Sequence, residues 1–290
     1  MLKLKRLLKE VSPAIKWKKE KYISSGWDFN VFLLDNKYLV RIPKNQDATK
    51  RAPIDFCLLK ILNNTANFYI PKPIYLNKKN QTAVYKAVTG KMITVNSYKK
   101  MTSRSKEKFA RDLAEFLLTL HSVPVKKIHR CNLPINGLKH SSRIIYKEIS
   151  TIRPYLNKMQ NLGLDDFLRK RKSALKPNKL VLTHGDLNSD HIFLNNQRLG
   201  IIDFSDASIS DPAVDFAGLL SYGFDFVNQV LKYYDSKHSE SLNARAKIYQ
   251  QDIAIKILAT ALKGSKKISV KEAKKLFEAR IVKNESLPVN

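Results

Sequence analysis

The stretch HGDLNSDHIFLNNQRLGIIDFSD, residues 184–206, sets Asp186 and Asp203 seventeen positions apart, with His191 between them. Two carboxylates brought to one cleft can divide labour. One binds a divalent cation while the other takes a proton from a hydroxyl nucleophile. The surroundings support a cation. Residues 186–225 hold seven aspartates (186, 190, 203, 206, 211, 215 and 225) against one basic residue, Arg198, in a chain with 53 Lys and Arg to 25 Asp and Glu. Carboxylates packed this densely repel one another unless cations neutralise them. The plainer alternative is that both aspartates simply terminate strands.

Such a site needs a frame. The β-prone runs HIFL and LGIID would pair across the polar turn NNQR, which carries Asp186, before the first strand, toward Asp203, at the end of the second. KLVLTHGD reads as a short strand entering this loop, and Pro212 suits a helix start. Upstream, residues 21–44 give a three-strand meander, KYIS, NVFLL and KYLVRI, with turns at Ser25-Gly26 and Asp35-Asn36. APIDFCLLKILNN follows as a helix with Ile54, Leu58, Ile61 and Leu62 on one face, and then strands around IPKPIYLN and TAVYKAV. The second half is mostly helical. KFARDLAEFLLTLHSV lines up Phe109, Leu113, Phe116, Leu117 and Leu120, residues 141–176 give one or two helices, and helical patterns cover 224–235 and 240–263. Ser269 with Glu272 forms a capping box for a last helix. The class is α+β: a small β-rich lobe, residues 1–87 with a hinge about 85–90, then a larger α-helical lobe, residues 88–290.

Composition bounds the rest. At 290 residues and 43% hydrophobic content the chain can bury a substantial core. No apolar run approaches eighteen residues, so neither a membrane span nor a signal peptide is expected. Cys57 and Cys131 lack metal or redox spacing, which reads as two buried thiols in a reducing cytoplasm. The formal charge of +28 first suggests a polyanionic partner. Its lysines are spread along the chain and form no recognised nucleic-acid signature, so a solvated basic surface is the preferred reading, on a monomer.

The order His-Gly-Asp, a metal-ligand position five residues on, an apolar hairpin, Ile-Asp-Phe and then Asp-Pro-x-x-Asp resembles the aminoglycoside phosphotransferase family, in motif nearest its 2''-phosphotransferase and macrolide-kinase members. SSGWDFNVFLLDNKYLVRIPK is similar to the family's nucleotide-covering hairpin and third strand, and FARDLAEFLLTLHSVP to its central helix, so the likeness spans about residues 20–282. It implies a two-lobed, protein-kinase-like fold and transfer of the γ-phosphate of ATP or GTP to a small-molecule hydroxyl. Asp186 would orient that hydroxyl and accept its proton, and Asp203 would be the main Mg²⁺ ligand. His184 and Asp215 would support the loop, Asp215 through backbone N–H groups. The linker YKAVTG, with Tyr85 and Val88, would contribute backbone groups to the nucleotide.

Three departures stand out. His191 occupies the usual asparagine position, and imidazole suits Mn²⁺ better than hard Mg²⁺. The strand-three lysine becomes Arg41, with Lys44 as a rival, and its acidic partner becomes Asp55. The phosphate-covering turn keeps one glycine, Gly26. For a polycationic acceptor, Asp206, Asp211, Asp225 and Glu240 are the local carboxylates, while the net charge leans toward a neutral or anionic acceptor. A nucleotide-binding pseudokinase is the other class, and the presence of both essential carboxylates argues against it.

Overall fold

The computed structural model describes residues 15–25, 28–65, 69–177, 179–265 and 267–284. Its strands are β1 (Glu20–Ser25), β2 (Phe29–Leu34), β3 (Tyr38–Pro43), β4 (Lys72–Leu76), β5 (Ala83–Lys86), β6 (Lys91–Met92), β7 (Val181–Thr183), β8 (Ile192–Asn195), β9 (Arg198–Ile201) and β10 (Ser208–Ser210). The α-helices are α1 (Gln46–Thr65), α2 (Val95–Lys99), α3 (Ser103–His121), α4 (Val125–Ile128), α5 (Leu138–Ile152), α6 (Lys158–Ala174), α7 (Ala213–Leu219), α8 (Phe224–Tyr234), α9 (Ser239–Leu262) and α10 (Val270–Phe277).

The chain divides into two compact units. The first holds the described residues up to Met92, with Pro124–Leu133 and His191–Ala207. The second holds Ile93–Val123, Pro134–Asp190 and the described residues from Ser208 onward. In the first unit, β1 to β5 form an antiparallel sheet of order β1-β2-β3-β5-β4. Strand alternation gives that sheet two faces. Leu34, Val40 and Val84 pack on one, while Phe29 packs with Ala48 and Ala52 of α1 on the other. Helix α1 starts six residues before the apolar run that marks it in the sequence and passes through Pro53. Asn45 nucleates this extra turn, its Oδ1 accepting the Ala48 N–H at 2.8 Å. A second sheet, β6-β8-β9, contains the expected hairpin. Asn196 and Gln197 turn it with φ of 46° and 67°, the left-handed pair of a type I′ two-residue turn.

The second unit is built on α3, whose Phe109, Leu113, Phe116, Leu117 and Leu120 are buried as the periodicity predicts. Tyr98, Phe109, Tyr222 and Phe226 add a cluster of ring contacts, with centroids 4.9–6.2 Å apart. The region 141–176 resolves into two helices, α5 and α6, and Ser269 with Glu272 makes the capping box of α10. Pro212 stands one place before α7 instead of at its first position. Strand β10 pairs antiparallel with β7; β7 is the strand read in KLVLTHGD, whereas the three residues of β10 are an unexpected strand.

The cysteine expectation is corrected. Cys57, in α1, and Cys131, ending the 3-10 turn His129–Cys131, form a disulfide with Cα atoms 5.5 Å apart. Tertiary packing in the first unit brings together residues 74 apart in sequence, a pairing that spacing alone does not encode. The argument for a reducing compartment therefore loses its premise. Among the described residues no helix is long and apolar enough to cross a membrane.

Candidate active site

In the first unit, strand alternation points Arg41 away from its neighbour Val40 and onto the face that α1 covers, its guanidinium 4.1 Å from the Phe29 ring centre. There Nη1 lies 3.4 Å from Oδ2 of Asp55 on α1, and Nη2 lies 2.9 Å from Oδ1 of Asp203. Tyr85, from β5, donates its hydroxyl to the same Asp55 Oδ2 at 2.7 Å. Asp203 follows β9 with φ 64°, and its Oδ1 also accepts the Ser205 hydroxyl at 2.6 Å. His191, leading into β8, places Nε2 3.8 Å from Asp203 Oδ2, and its carbonyl accepts the Ile202 N–H at 3.0 Å. Strand β3, helix α1 and the β8–β9 hairpin thus set a cation, two carboxylates and an imidazole in one cluster.

Burial disfavours charge on Arg41, but Asp203 and Asp55 outweigh it and hold the guanidinium firmly protonated. Asp55 is pushed up by burial, opposed by Arg41 and by the Tyr85 hydroxyl, and among the described residues its Oδ1 has no hydrogen-bond partner. Burial and the neighbouring Asp55 drive the Tyr85 phenol well above its usual range.

In the second unit, β7 delivers the chain to His184, Gly185 and Asp186. Asp215 of α7 is fully buried and accepts the His184 N–H at 2.9 Å and the Gly185 N–H at 2.8 Å. Gly185 has φ 88°, a turn that favours glycine. His184, also fully buried, accepts the Asp186 N–H on Nδ1 at 3.3 Å, and Asn188 Nδ2 donates to Asp186 Oδ1 at 2.9 Å. The Asp186 carboxylate therefore stands on a loop whose backbone is pinned on both sides of His184.

The remaining predicted residues are dispersed. Gly26 lies outside the described residues. Lys44 is exposed beyond β3, while Arg41 pairs with Asp55 and Asp203. Tyr85 is a buried side chain on a strand flanked by β3 and β4. Val88 is half-buried against Gly200, where an added Cβ would come within 2.6 Å of Val88 Cγ1. Asp206 is exposed and pairs with Arg51 at 3.0 Å. Asp225 and Glu240 stand exposed in the first turns of α8 and α9. Contrary to the expectation of a carboxylate open to substrate, Asp211 is buried and its carboxylate is taken by Arg245 at 2.7 Å, by the Tyr249 hydroxyl at 3.1 Å and by the Ala213 N–H at 3.0 Å.

Sequence reasoning missed His121 and Arg245. His121 ends α3 and brings Nε2 to 3.0 Å from Asp215 Oδ2, while its Nδ1 meets the Tyr234 hydroxyl at 2.8 Å. Burial opposes charge on Asp215, but the hydrogen bond and electrostatic attraction of His121 hold its carboxyl below the ordinary value. The signal for His121 was a polar residue four places after Leu117 on a buried helical face. Arg245 left none, since its partner is 34 residues away.

The profile described as the phosphotransferase enzyme family matches residues 19–248. Solved structures share the fold. Wild-type aminoglycoside 2'-phosphotransferase-IIIa in its GDP complex superposes with a TM-score of 0.89 at 23% identity, over 98% of this chain and 99% of that one. The GDP and kanamycin complex of a 2''-phosphotransferase gives 0.87 at 24%, over 96% and 98%. Macrolide 2'-phosphotransferase type I gives 0.75 at 20%, over 96% and 97%.

Proposed function

Because the chain belongs to the phosphotransferase enzyme family, we propose that it moves the γ-phosphate of ATP or GTP to a hydroxyl of a small molecule. The observation that carries this reading is the Asp186 loop, with two of its backbone N–H groups anchored on the buried Asp215 carboxylate. A carboxylate so placed orients an acceptor hydroxyl and takes its proton as the oxygen–phosphorus bond forms; the bond from the γ-phosphorus to the bridging oxygen breaks, and the nucleoside diphosphate leaves. Arg41 is the group that would contact nucleotide phosphate, fixed by Asp55 and Asp203.

The donor set fits a divalent ion of the magnesium type. Among the described residues no three His, Cys, Asp or Glu side chains gather into a closed metal cage. Asp203 offers carboxylate oxygen, with the His191 imidazole beside it. An ion that takes one or two protein carboxylates and completes its shell with phosphate and water suits so sparse a set, and the imidazole nitrogen extends the fit to Mn²⁺. When bound, the ion neutralises phosphate charge during transfer.

The relative solved with kanamycin makes an aminoglycoside the first acceptor to try, with Asp225 and Glu240 as the exposed carboxylates available to a polycation. A neutral or anionic acceptor, or a macrolide, is the second reading, favoured by the net charge of +28, which repels polycations at long range. The test is transfer of labelled γ-phosphate from ATP and from GTP, with Mg²⁺, to separate pools of aminoglycosides, macrolides and hydroxylated metabolites. Asp186→Ala should fold and lose about two or more orders of magnitude in turnover. Near-normal turnover in that variant would sink the mechanism, and nucleotide binding without transfer to any pool would point to a pseudokinase.

A further inference from the structure

Glycine is among the poorest helix formers and alanine the best, yet Gly218 lies inside α7 with ordinary helical backbone. Its conformation does not require glycine. Its surroundings do. A Cβ added at Gly218 would stand 2.7 Å from the Leu187 carbonyl carbon, nearer still to the carbonyl oxygen, and 3.2 Å from the Asn188 nitrogen. These are backbone atoms, which cannot swing aside as a side chain can. Leu187 itself is fully buried. We infer that Gly218 is a positioning residue for the proposed phosphotransfer, its missing side chain setting how closely the Asp186 loop seats on α7.

The loop is held at two points of one helix. Asp215 takes the His184 and Gly185 N–H groups at one end of the loop. Three residues later, about one helical turn along, Gly218 admits the Leu187 carbonyl at the other. Asn188 passes this position to the carboxylate: its Nδ2 donates to Asp186 Oδ1 at 2.9 Å, and its N–H donates to the Asp186 carbonyl at 3.1 Å. The helix is itself anchored, since Asp211, clamped by Arg245, accepts the Ala213 N–H at its start. A methyl group at position 218 must push the loop outward and Asp186 with it, and a shift near 1 Å is enough to cost about a hundredfold in rate. The inference rests on the reading of Asp186 as acceptor of the hydroxyl proton.

The experiment uses the full chain with ATP and GTP, each with Mg²⁺, and kanamycin, gentamicin and water as acceptors. Gly218→Ala should lower kcat by about 10- to 100-fold and leave the nucleotide KM within about twofold. Amide exchange at His184, Gly185 and Asn188 should rise at least about tenfold while the melting temperature moves little. An unchanged kcat with unchanged exchange overturns the inference. Should the wild type transfer phosphate to none of these acceptors, the aminoglycoside reading fails, and the exchange comparison alone decides the seating: unchanged protection rejects it. Should Gly218→Ala fail to fold, Asn188→Ala takes its place. That variant removes the amide that holds Asp186 without touching α7. A kcat at least about fivefold lower at unchanged KM supports the inference, and an unchanged kcat overturns it.

Discussion

Removing the Cys57–Cys131 bond should destabilise the first unit by about 4 kcal/mol, and the figure follows from where the two residues lie in the chain. They are 74 apart, and closing a loop of that length removes about 15 cal/mol/K from the unfolded ensemble, about 4.5 kcal/mol at 25 °C in the chain-entropy treatment. Residual compactness of the unfolded chain trims this value. A functional consequence comes with it. Cys57 stands two residues beyond Asp55 on α1, so the bond fixes the helix whose carboxylate receives Arg41 and Tyr85. Freed of the bond, α1 gains latitude and the Arg41–Asp55 pair loosens, which should raise the nucleotide KM more than it lowers kcat. The assay is urea unfolding of wild type, wild type with reductant, and the Cys57→Ala/Cys131→Ala variant. Intact mass after alkylation without reductant checks that the bond is present. Two alkylated thiols in the native protein, or an unfolding midpoint indifferent to reductant, would refute the reasoning.

Three further expectations follow from the ion pairs. Asp215→Asn should cost at least about 2 kcal/mol at neutral pH, because a buried carboxylate loses its charged hydrogen bonds. Its folded pKa is depressed, so its stabilisation is complete above the unfolded value of about 3.9 and disappears as pH falls through the lower folded value; the melting-temperature gap from wild type should narrow below about pH 4. Arg245→Met leaves the Asp211 carboxylate buried and unpaired and should cost about 3–5 kcal/mol in urea unfolding, whereas Arg245→Met with Asp211→Asn should recover part of it; strict additivity would contradict the coupling. Asp203→Ala should abolish the Mg²⁺ dependence of nucleotide affinity in calorimetry, and unchanged affinity with Mg²⁺ would contradict the role given to it.

Much of this was legible from residue order. β-prone runs at NVFLL and KYLVRI, broken by turn residues, gave the meander, the stripe from Phe109 to Leu120 gave α3, and NNQR between two apolar runs gave the β8–β9 hairpin. These are local patterns, readable because each element's period matches its own burial. Tertiary decisions were not legible. The start of α1 at Gln46 lies before the apolar run, in a polar segment with no helical stripe, and is marked by the Asn45 cap. Asp211 looked available because Arg245 is distant in sequence. The cysteines looked independent for the same reason. Asp186 and Asp203 were singled out by type and order, and Arg41 and Asp55 by resemblance. His121 and Gly218 emerged only from what packs against them.

The interleaving of the two units bears on how the chain can be made. It passes from one unit to the other at 92/93, 123/124, 133/134, 190/191 and 207/208. During synthesis the five-stranded sheet and α1 emerge early, and the partner cysteine follows by residue 131. β6, however, must wait for β8 and β9, and Tyr69 for its bridge to Gly200. At roughly 5–20 residues per second, the ribosome adds the hundred or so residues between them in about 5–20 s. For that interval the first unit exists without Asp203, and its Arg41 lacks one of its two counter-charges. A nascent chain stalled before residue 191 should therefore be protease-sensitive around β6, and one stalled after residue 207, with that segment outside the exit tunnel, should be protected there. The order of translation thus makes the segment that carries His191 and Asp203 the last piece of the first unit to arrive.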